Sequence, residues 1–266
     1  MFAHAKYSTD FQESKYIEWD RTPLSPNDKF IFYTDHSLDR VTNNTNSIGW
    51  LLESPEITPQ SYNWIKTNYN KFNKVLTHNK ELLDIKENFL FCPLGGCWIK
   101  PEDHKIYDKT KLISIISSGK RLTHGHMLRH QAIQMFNDKI NVYGRGYNPI
   151  NYKLSALQDF AFSLTIENTK SDYYFTEKLI DCFMTGTVPI YWGCPSIGNF
   201  FNTDGMIIFD KIEELDIIIN NLTIENYNSM KVAIQDNFEK AKDYLIAEDY
   251  IYKNIIINED KNKIKR

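Results

Sequence analysis

The stretch from residue 162 to residue 193 constrains the fold of this chain more than any other. Residues 162–166 form a short apolar run that predicts a buried strand. Thr176 stands where a helix N-cap belongs, apolar residues then recur at helical spacing, and Gly186 is placed to end the helix. Residues 188–192 predict the next buried strand. In such an α/β unit, ligands bind beyond the carboxyl ends of the strands.

Three polar residues of this stretch fall where a phosphorylated ligand would lie. Asn168 directly follows the first predicted strand, and Glu177 and Lys178 open the predicted helix. A helix N-terminus at that position favours an anion. The same residues are also typical of an ordinary helix start, since a glutamate suits an N-terminus through the helix dipole alone. The residue pattern leaves both interpretations open.

The same stretch closely resembles the sugar-nucleotide motif of the inverting α-1,3/4-fucosyltransferases. In that family a strand ends in Glu-Asn, a loop carries a tyrosine, Thr-Glu-Lys opens a helix, and a strand with Pro-Ile or Pro-Val follows. The matching positions here are Glu167-Asn168, Tyr174, Thr176-Glu177-Lys178, Gly186, Val188-Pro189-Ile190 and Gly193-Cys-Pro-Ser196. The resemblance implies an α/β fold with two Rossmann-like lobes facing a cleft, the GT-B-type architecture. It also implies metal-independent transfer of fucose from GDP-fucose to a glycan hydroxyl, with inversion.

The resemblance assigns roles to individual residues. Glu177 is expected to hold a ribose hydroxyl of the GDP-sugar, Lys178 a phosphate, and Asn168 a phosphate or ribose oxygen. Tyr174 is expected to pack near the donor, although a plain core tyrosine is a close alternative. Glu167 is expected to be structural.

Arg129 is the candidate clamp for the diphosphate. Residues 114–118 predict a strand end, a loop follows, and Arg129 then lies in an amphipathic helix, similar to an arginine of the family. A planar guanidinium can hold two phosphate oxygens at once. Arg121 is a weaker alternative for this role. His124 and His126 are more typical of loop or packing residues than of bases.

Glu53 is the candidate general base. Residues 49–56 form an apolar strand that ends in Glu53-Ser-Pro, which resembles the family's Glu-Ser-Pro with its basic glutamate. A strand end beside Trp50 would raise the proton affinity of the carboxylate by desolvation. Glu56 lies three residues further on and is the alternative.

Strands alternate with helical segments in both halves of the chain, which favours two α/β lobes with mainly parallel sheets. The predicted strands are 29–33, 47–52, 74–77, 88–92, 112–117, 140–143, 162–166, 188–192 and 206–209. The predicted helices are 59–72, 126–136, 176–186, 212–221 and the segment from 226 onwards. We expect an acceptor-binding lobe at 1–108, a GDP-sugar-binding lobe at 109–245, and a helical, basic tail at 246–266. Residues 101–110 are expected to link the lobes.

Composition excludes several classes of protein. The 266 residues are 42% hydrophobic and 24% charged, as in ordinary globular domains. A net charge of −3 gives no general attraction to nucleic acid. No apolar run is long enough to span a bilayer, and residues 1–20 lack the apolar core of a signal peptide, so we expect a cytoplasmic protein. The basic residues 261–266 allow at most weak peripheral membrane contact.

Cofactors are not expected beyond the GDP-sugar donor itself. The chain contains no Asp-x-Asp sequence, and its four cysteines lack the spacing of a zinc site, so no metal is expected.

Several alternatives remain open at this point: a transferase for another GDP-sugar, or a catalytically silent nucleotide-sugar-binding module. A retaining two-lobed glycosyltransferase is a further alternative. Those enzymes carry two glutamates at a shorter spacing than the ten residues between Glu167 and Glu177, so the spacing here disfavours that class. A dinucleotide oxidoreductase would need a third glycine where Pro149 stands in Gly144-Arg-Gly-Tyr-Asn-Pro149.

Overall fold

The computed structural model describes residues 6–20, 30–42 and 46–257. Within them, nine strands form two parallel sheets, which confirms the predicted α/β class. The strands are β1 Ile31–Thr34, β2 Ser47–Trp50, β3 Lys74–Thr77, β4 Phe89–Phe91, β5 Lys111–Ile116, β6 Asn141–Tyr143, β7 Phe160–Ile166, β8 Val188–Trp192 and β9 Ile207–Ile208. The α-helices are α1 Pro59–Asn68, α2 Lys80–Leu83, α3 His124–Phe136, α4 Glu177–Met184, α5 Glu214–Asn220, α6 Ile224–Ser229, α7 Lys231–Ala241 and α8 Ala247–Ile251.

The first compact unit contains residues up to 94, residues 172–174 and residues from 246 onwards. Its four strands lie in the order β1-β2-β3-β4, all parallel. Successive side chains of a strand face opposite sides of the sheet, so both faces must be covered. Leu51 and Val75 pack in a cluster with Ile65 of α1, whereas Trp50 and Leu76 pack in a second cluster with residues of α8.

The second compact unit contains residues 95–171 and 175–245. Its strands lie in the order β6-β5-β7-β8-β9, and every pair is parallel. The central strand β7 is buried along its whole length. One apolar cluster joins β7 and β8 to α3 and α5, and another includes α4 and residues of the segment 194–206.

The predicted strand–loop–helix–strand stretch folds as its sequence indicates. The Thr176 side chain caps α4 by accepting from the backbone N–H of Lys178. Gly186 follows the helix with a φ of +67°, the left-handed conformation that ends helices and favours glycine. Strand β8 then occupies the predicted residues 188–192.

The second unit ends at residue 245, where the predicted donor lobe ends, but it begins at residue 95 and not at the predicted 109. Residues 95–108 belong to the second unit, where the Trp98 N–H donates to the Asp181 carboxylate at 2.6 Å. Lys109, in the predicted linker, donates to the carbonyl oxygens of Leu157 and Thr185 in the same unit. Residues 246–257 group with the first unit, where Ile251, Ile255 and Ile256 are buried in the apolar cluster that contains Trp50. The basic residues 261–266 lie outside the described residues.

The glycine pair at 144–146 does not open a helix. After β6 the chain makes a turn in which the Gly144 N–H donates to the Asn148 carbonyl at 2.8 Å. The next regular element is a short 3-10 turn at Lys153–Ala156. A dinucleotide fingerprint needs its glycines between a strand and a helix, so this segment does not support the oxidoreductase alternative.

Candidate functional site

The order of the second sheet identifies where a ligand would bind. The chain passes from β5 to its neighbour β6 on one side and then returns to place β7 on the other side. The carboxyl edge between β5 and β7 is therefore a topological switch point, where open α/β sheets bind ligands. The polar residues at this edge are the candidate site.

Gly125 lets helix α3 touch the end of β7. It is the second residue of α3, and its N–H donates to the Asn168 carbonyl at 3.0 Å. A Cβ atom at this position would lie 1.8 Å from the carbonyl oxygen of Glu167 and 2.8 Å from that of Asn168. This contact was not predicted, because residues 119–126 were expected to form a loop; the glycine two residues after the cap Thr123 was the available signal.

Arg129 and Asn168, two of the predicted donor residues, are brought together across the switch point. Arg129 is buried, with 5% of its surface exposed, and its Nε donates to the Gly125 carbonyl at 3.2 Å. Its Nη2 donates to the Asn168 Oδ1 at 2.6 Å. An ordinary arginine on a helix surface would be exposed. The guanidinium of Arg129 is instead buried and held in place by two hydrogen bonds. The alternative residue, Arg121, is exposed.

Glu167 is structural in this geometry, as expected. Its carboxylate is fully buried and accepts from the Thr176 N–H at 2.8 Å and from the Thr176 hydroxyl at 2.7 Å. Burial raises the pKa of Glu167, although the ammonium of Lys178, 3.5 Å away, opposes that shift. The result is a fixed junction between the end of β7 and the start of α4.

Glu177 and Lys178 form part of a chain of opposite charges at the start of α4. The Lys178 Nζ lies 3.3 Å from the Glu177 carboxylate, and the Nζ of Lys153 lies 3.7 Å from it. Burial opposes ionisation of Glu177, but Lys178, Lys153 and the Thr176 hydrogen bond outweigh it and lower the pKa of Glu177 to about 2. Glu177 therefore stays ionised at neutral pH.

Lys153 and Asp181 extend this network and were missed by the sequence analysis. The Lys153 Nζ lies 2.7 Å from the Asp181 carboxylate, whose side chain is 2% exposed. Burial raises the pKa of Asp181, with Lys153 opposing it. Lys153 forms ion pairs with the carboxylates of both Glu177 and Asp181, so it links these two residues of α4. The i, i+4 spacing of Glu177 and Asp181 on the predicted helix was the signal that the sequence offered.

Of the two histidines considered as loop or packing residues, His126 is buried in α3 and His124 is exposed. His126 is buried, and its Nδ1 lies 2.6 Å from the Thr123 hydroxyl. Burial, followed by the positive charges of Arg129, Lys120 and Lys178, lowers the pKa of His126 to about 4. His126 is therefore neutral at pH 7, and several cations act on this edge of the sheet.

Tyr174 lies with the first compact unit, not with the second unit that carries the other predicted donor residues. It is fully buried, and its ring centroid lies 4.8 Å from that of His78. Tyr173 before it has a φ of +65°, which turns the chain at this point. The expected role of Tyr174 beside the donor stays a prediction.

Glu53 lies beyond β2 at the carboxyl edge of the first sheet, where the sequence places it. Its carbonyl oxygen accepts from the Tyr62 hydroxyl at 2.7 Å, and that hydroxyl lies 3.3 Å from the Nε2 of His78. Trp50 packs edge-on to Phe32, with ring centroids 6.3 Å apart, in the apolar cluster that contains α8. Tyr62, His78 and the carboxylate of Asp35, which also lie at this edge, were not predicted.

The described residues 6–20, 30–42 and 46–257 contain no group of three or more His, Cys, Asp or Glu side chains arranged to hold a metal ion. Among the helices in the described part of the chain, none is both long enough and apolar enough to cross a membrane.

Residues 106–251, more than half of the chain, match the family model described as glycosyltransferase family 10 (fucosyltransferase), C-terminal. The chain belongs to glycosyltransferase family 10. A relative, the alpha-(1,3)-fucosyltransferase FucT of Helicobacter pylori, is 34% identical over 111 residues, which are 41% of this chain and 23% of that protein. The mouse 4-galactosyl-N-acetylglucosaminide 3-alpha-L-fucosyltransferase 9 is 29% identical over 171 residues, 63% of this chain and 45% of that protein. The matches thus span less than half the length of these curated relatives.

The fold of this family 10 member is also similar to solved structures. A crystal structure of an alpha1,3-fucosyltransferase with GDP aligns with a TM-score of 0.54 at 20% identity, covering 85% of this chain and 82% of that one. The same likeness holds for an alpha1,3-fucosyltransferase with GDP-fucose, with a TM-score of 0.54 at 19% identity over 83% of this chain and 79% of that one. At this identity the likeness concerns the fold, and it confirms the predicted GT-B-type class.

Proposed function

We propose that this chain transfers fucose, or a closely related sugar, from a GDP-sugar to a hydroxyl of a glycan. The observation that carries the proposal is the buried Arg129, fixed against Asn168 at the switch point of the second sheet. Membership of family 10 supports the sugar-transfer class. Solved fucosyltransferases of similar fold, described with GDP and with GDP-fucose, support a guanosine-diphosphate donor.

The electrostatics of the second unit suit a diphosphate leaving group. Helices α3 and α4 follow the neighbouring parallel strands β5 and β7, so both N-termini lie at the same sheet edge with their positive dipole ends. Arg129 and Lys178 add two fixed cations. In this proposal they neutralise the diphosphate as it leaves, and no metal ion is required. Ionised Glu177 accepts a hydrogen bond from a ribose hydroxyl.

Glu53 is the proposed general base. As the acceptor oxygen bonds to the anomeric carbon, the acceptor proton passes to the Glu53 carboxylate. The bond between the anomeric carbon and the β-phosphate oxygen breaks at the same time, and GDP leaves with the electron pair. A single displacement of this kind inverts the anomeric configuration. Proton NMR of the first product formed would reveal the configuration, and a retained anomer would contradict this step.

The first experiment is calorimetry with GDP, GDP-fucose, other GDP-sugars and NAD, followed by transfer assays on a panel of glycan acceptors. We expect GDP and at least one GDP-sugar to bind, and NAD not to bind. Tight NAD binding without GDP binding would refute the proposal. Binding of a GDP-sugar with no transfer to any acceptor would favour the silent binding module instead.

The substitution Glu53→Gln distinguishes a catalytic role of Glu53 from a role in donor binding. The change keeps the shape of the side chain and removes its basicity, so donor affinity should stay near that of the unchanged protein. Turnover should fall by about 10²–10⁴-fold, the usual contribution of a general base. Glu56→Gln is the matched control, because Glu56 is exposed and lies on the same segment. Loss of turnover in the Glu56 variant but not in the Glu53 variant would reassign the base.

A further inference from the structure

Three strands of the first sheet end in polar side chains at the same edge. Asp35 directly follows β1, Glu53 follows β2 after two leucines, and His78 directly follows β3. Because these strands are parallel neighbours, their carboxyl ends lie side by side. Only Glu53 has a role in the proposed function, so the other groups at this edge need an explanation.

Asp35 has an unusual backbone conformation. Its φ is +35°, in the left-handed region that residues other than glycine seldom adopt and that Asp and Asn tolerate best. Such conformations persist where the surroundings hold them, and they concentrate at functional sites. Here the holding contact is visible, since the Asp35 Oδ1 accepts from the Leu52 N–H at 3.1 Å. The N–H of Glu53 also donates to this carboxylate. The Asp35 carboxylate therefore holds the backbone at Leu52 and Glu53 through hydrogen bonds.

The two carboxylates repel each other at this edge. Burial raises the pKa of Asp35, the backbone hydrogen bond from Leu52 lowers it, and the charge of Glu53 raises it, with the net result that the pKa lies at about 6. The other titratable groups here are Tyr62 of α1, whose pKa burial and Asp35 raise, and His78, whose pKa burial lowers to about 4. Both are neutral at pH 7. Glu53 therefore supplies the negative charge that acts on Asp35 near neutral pH.

We propose that Asp35 is the positioning residue for Glu53, holding its backbone in place and, through charge repulsion, strengthening the affinity of the carboxylate pair for a proton. This inference rests on the proposed function. A general base works best when its proton affinity matches the working pH, and an isolated glutamate is too weak a base for that. A second carboxylate at the same edge raises the proton affinity of the pair as a whole.

Asp35→Asn isolates the charge from the backbone contact. Asparagine tolerates a positive φ, and its amide oxygen can still accept from the Leu52 N–H. Asp39→Asn is the matched control, because Asp39 is exposed on the same 3-10 turn. The measurement is kcat/KM for transfer from GDP-fucose as a function of pH. We expect the acid limb of Asp35→Asn to move to lower pH by about one pH unit, with a lower maximum, because the pair has lost its repulsion.

A purely structural role would lower the maximum without moving the limb, and that result would overturn the inference. Absence of transfer by the unsubstituted protein would instead remove the proposed function, and the role of Asp35 with it.

If Asp35→Asn does not fold, thermal unfolding of Glu53→Gln between pH 4 and 8 decides the matter. Asp35 has a pKa raised above its unfolded value of 3.8, so its contribution to stability is full below pH 3.8 and is lost as the pH rises through about 6. Glu53→Gln should move that loss to lower pH, and an unchanged profile would refute the coupling.

Discussion

Gly125→Ala should damage the candidate donor site through a single added carbon. The new Cβ would stand 1.8 Å from the Glu167 carbonyl oxygen, whereas ordinary contacts begin at 3.4 Å. The obstacle is backbone, so the first turn of α3 has to retreat by about 1.6 Å. A retreat of that size stretches the Arg129–Asn168 hydrogen bond, now 2.6 Å, beyond bonding distance.

The opposing energies favour a clear loss of stability. Alanine gains up to about 1 kcal/mol over glycine in helix propensity. Overpacking costs about 1–3 kcal/mol, and the buried N–H of residue 125 loses its partner at about 1–3 kcal/mol. The net loss of about 1–6 kcal/mol should lower Tm by several degrees in a domain of this size. GDP should bind roughly 10- to 100-fold more weakly, since a charged contact contributes about 1.5–3 kcal/mol.

The assay is calorimetric titration with GDP, combined with thermal unfolding. Gly119→Ala is the matched control, because a Cβ there would meet only the Arg145 carbonyl oxygen, at 4.0 Å. That variant should bind GDP normally. If Gly125→Ala kept both the Tm and the GDP affinity of the unchanged protein, the close approach of α3 to β7 would not position Arg129, and the reasoning would fail.

Further predictions concern the charges around the site. Arg129→Ala and Lys178→Ala should each weaken GDP binding by roughly 10- to 100-fold in the same titration, whereas the exposed Arg121→Ala should not. Equal losses for Arg121 and Arg129 would indicate a diffuse charge effect instead of a clamp. Transfer should continue in EDTA, since the proposed leaving-group stabilisation uses cationic side chains; loss of transfer restored by manganese would contradict this. Lys153→Met should destabilise by about 3–5 kcal/mol in denaturant unfolding, because it leaves the buried Asp181 carboxylate without this ammonium, and Lys153→Arg should recover much of that. Near-normal stability of Lys153→Met would show that the network is not needed for folding.

Local sequence patterns predicted much of the fold. Strand β8 and the cap Thr176 match their predicted positions, and β7 differs only at its start, because apolar period, capping and glycine placement are properties of neighbouring residues. Arg129 and Asn168 were both assigned to the site through a family resemblance, and their contact across 39 residues of sequence is what the fold adds.

The rest of the site depends on long-range geometry that a single sequence does not specify. Lys153 and Asp181 are 28 residues apart, and neither stands in a distinctive motif. Asp35 has a φ of +35°, and its carboxylate accepts from the N–H of Leu52, which lies 17 residues further along the chain. For Tyr174, the motif gave its place in a loop but not the sheet on which its ring packs. The cytoplasmic location and the membrane contact of the basic tip stay predictions.

The discontinuous make-up of the first unit has a consequence for biosynthesis. Its apolar cluster around Trp50 is completed by Ile251, Ile255 and Ile256, which a ribosome adds roughly two hundred residues after β2. The second unit consists of residues 95–171 and 175–245, so nearly all of it has emerged before those isoleucines are made. The four-stranded sheet therefore has one apolar face uncovered until residues 246–257 are added. A stalled or truncated chain would expose that face to chaperones and proteases.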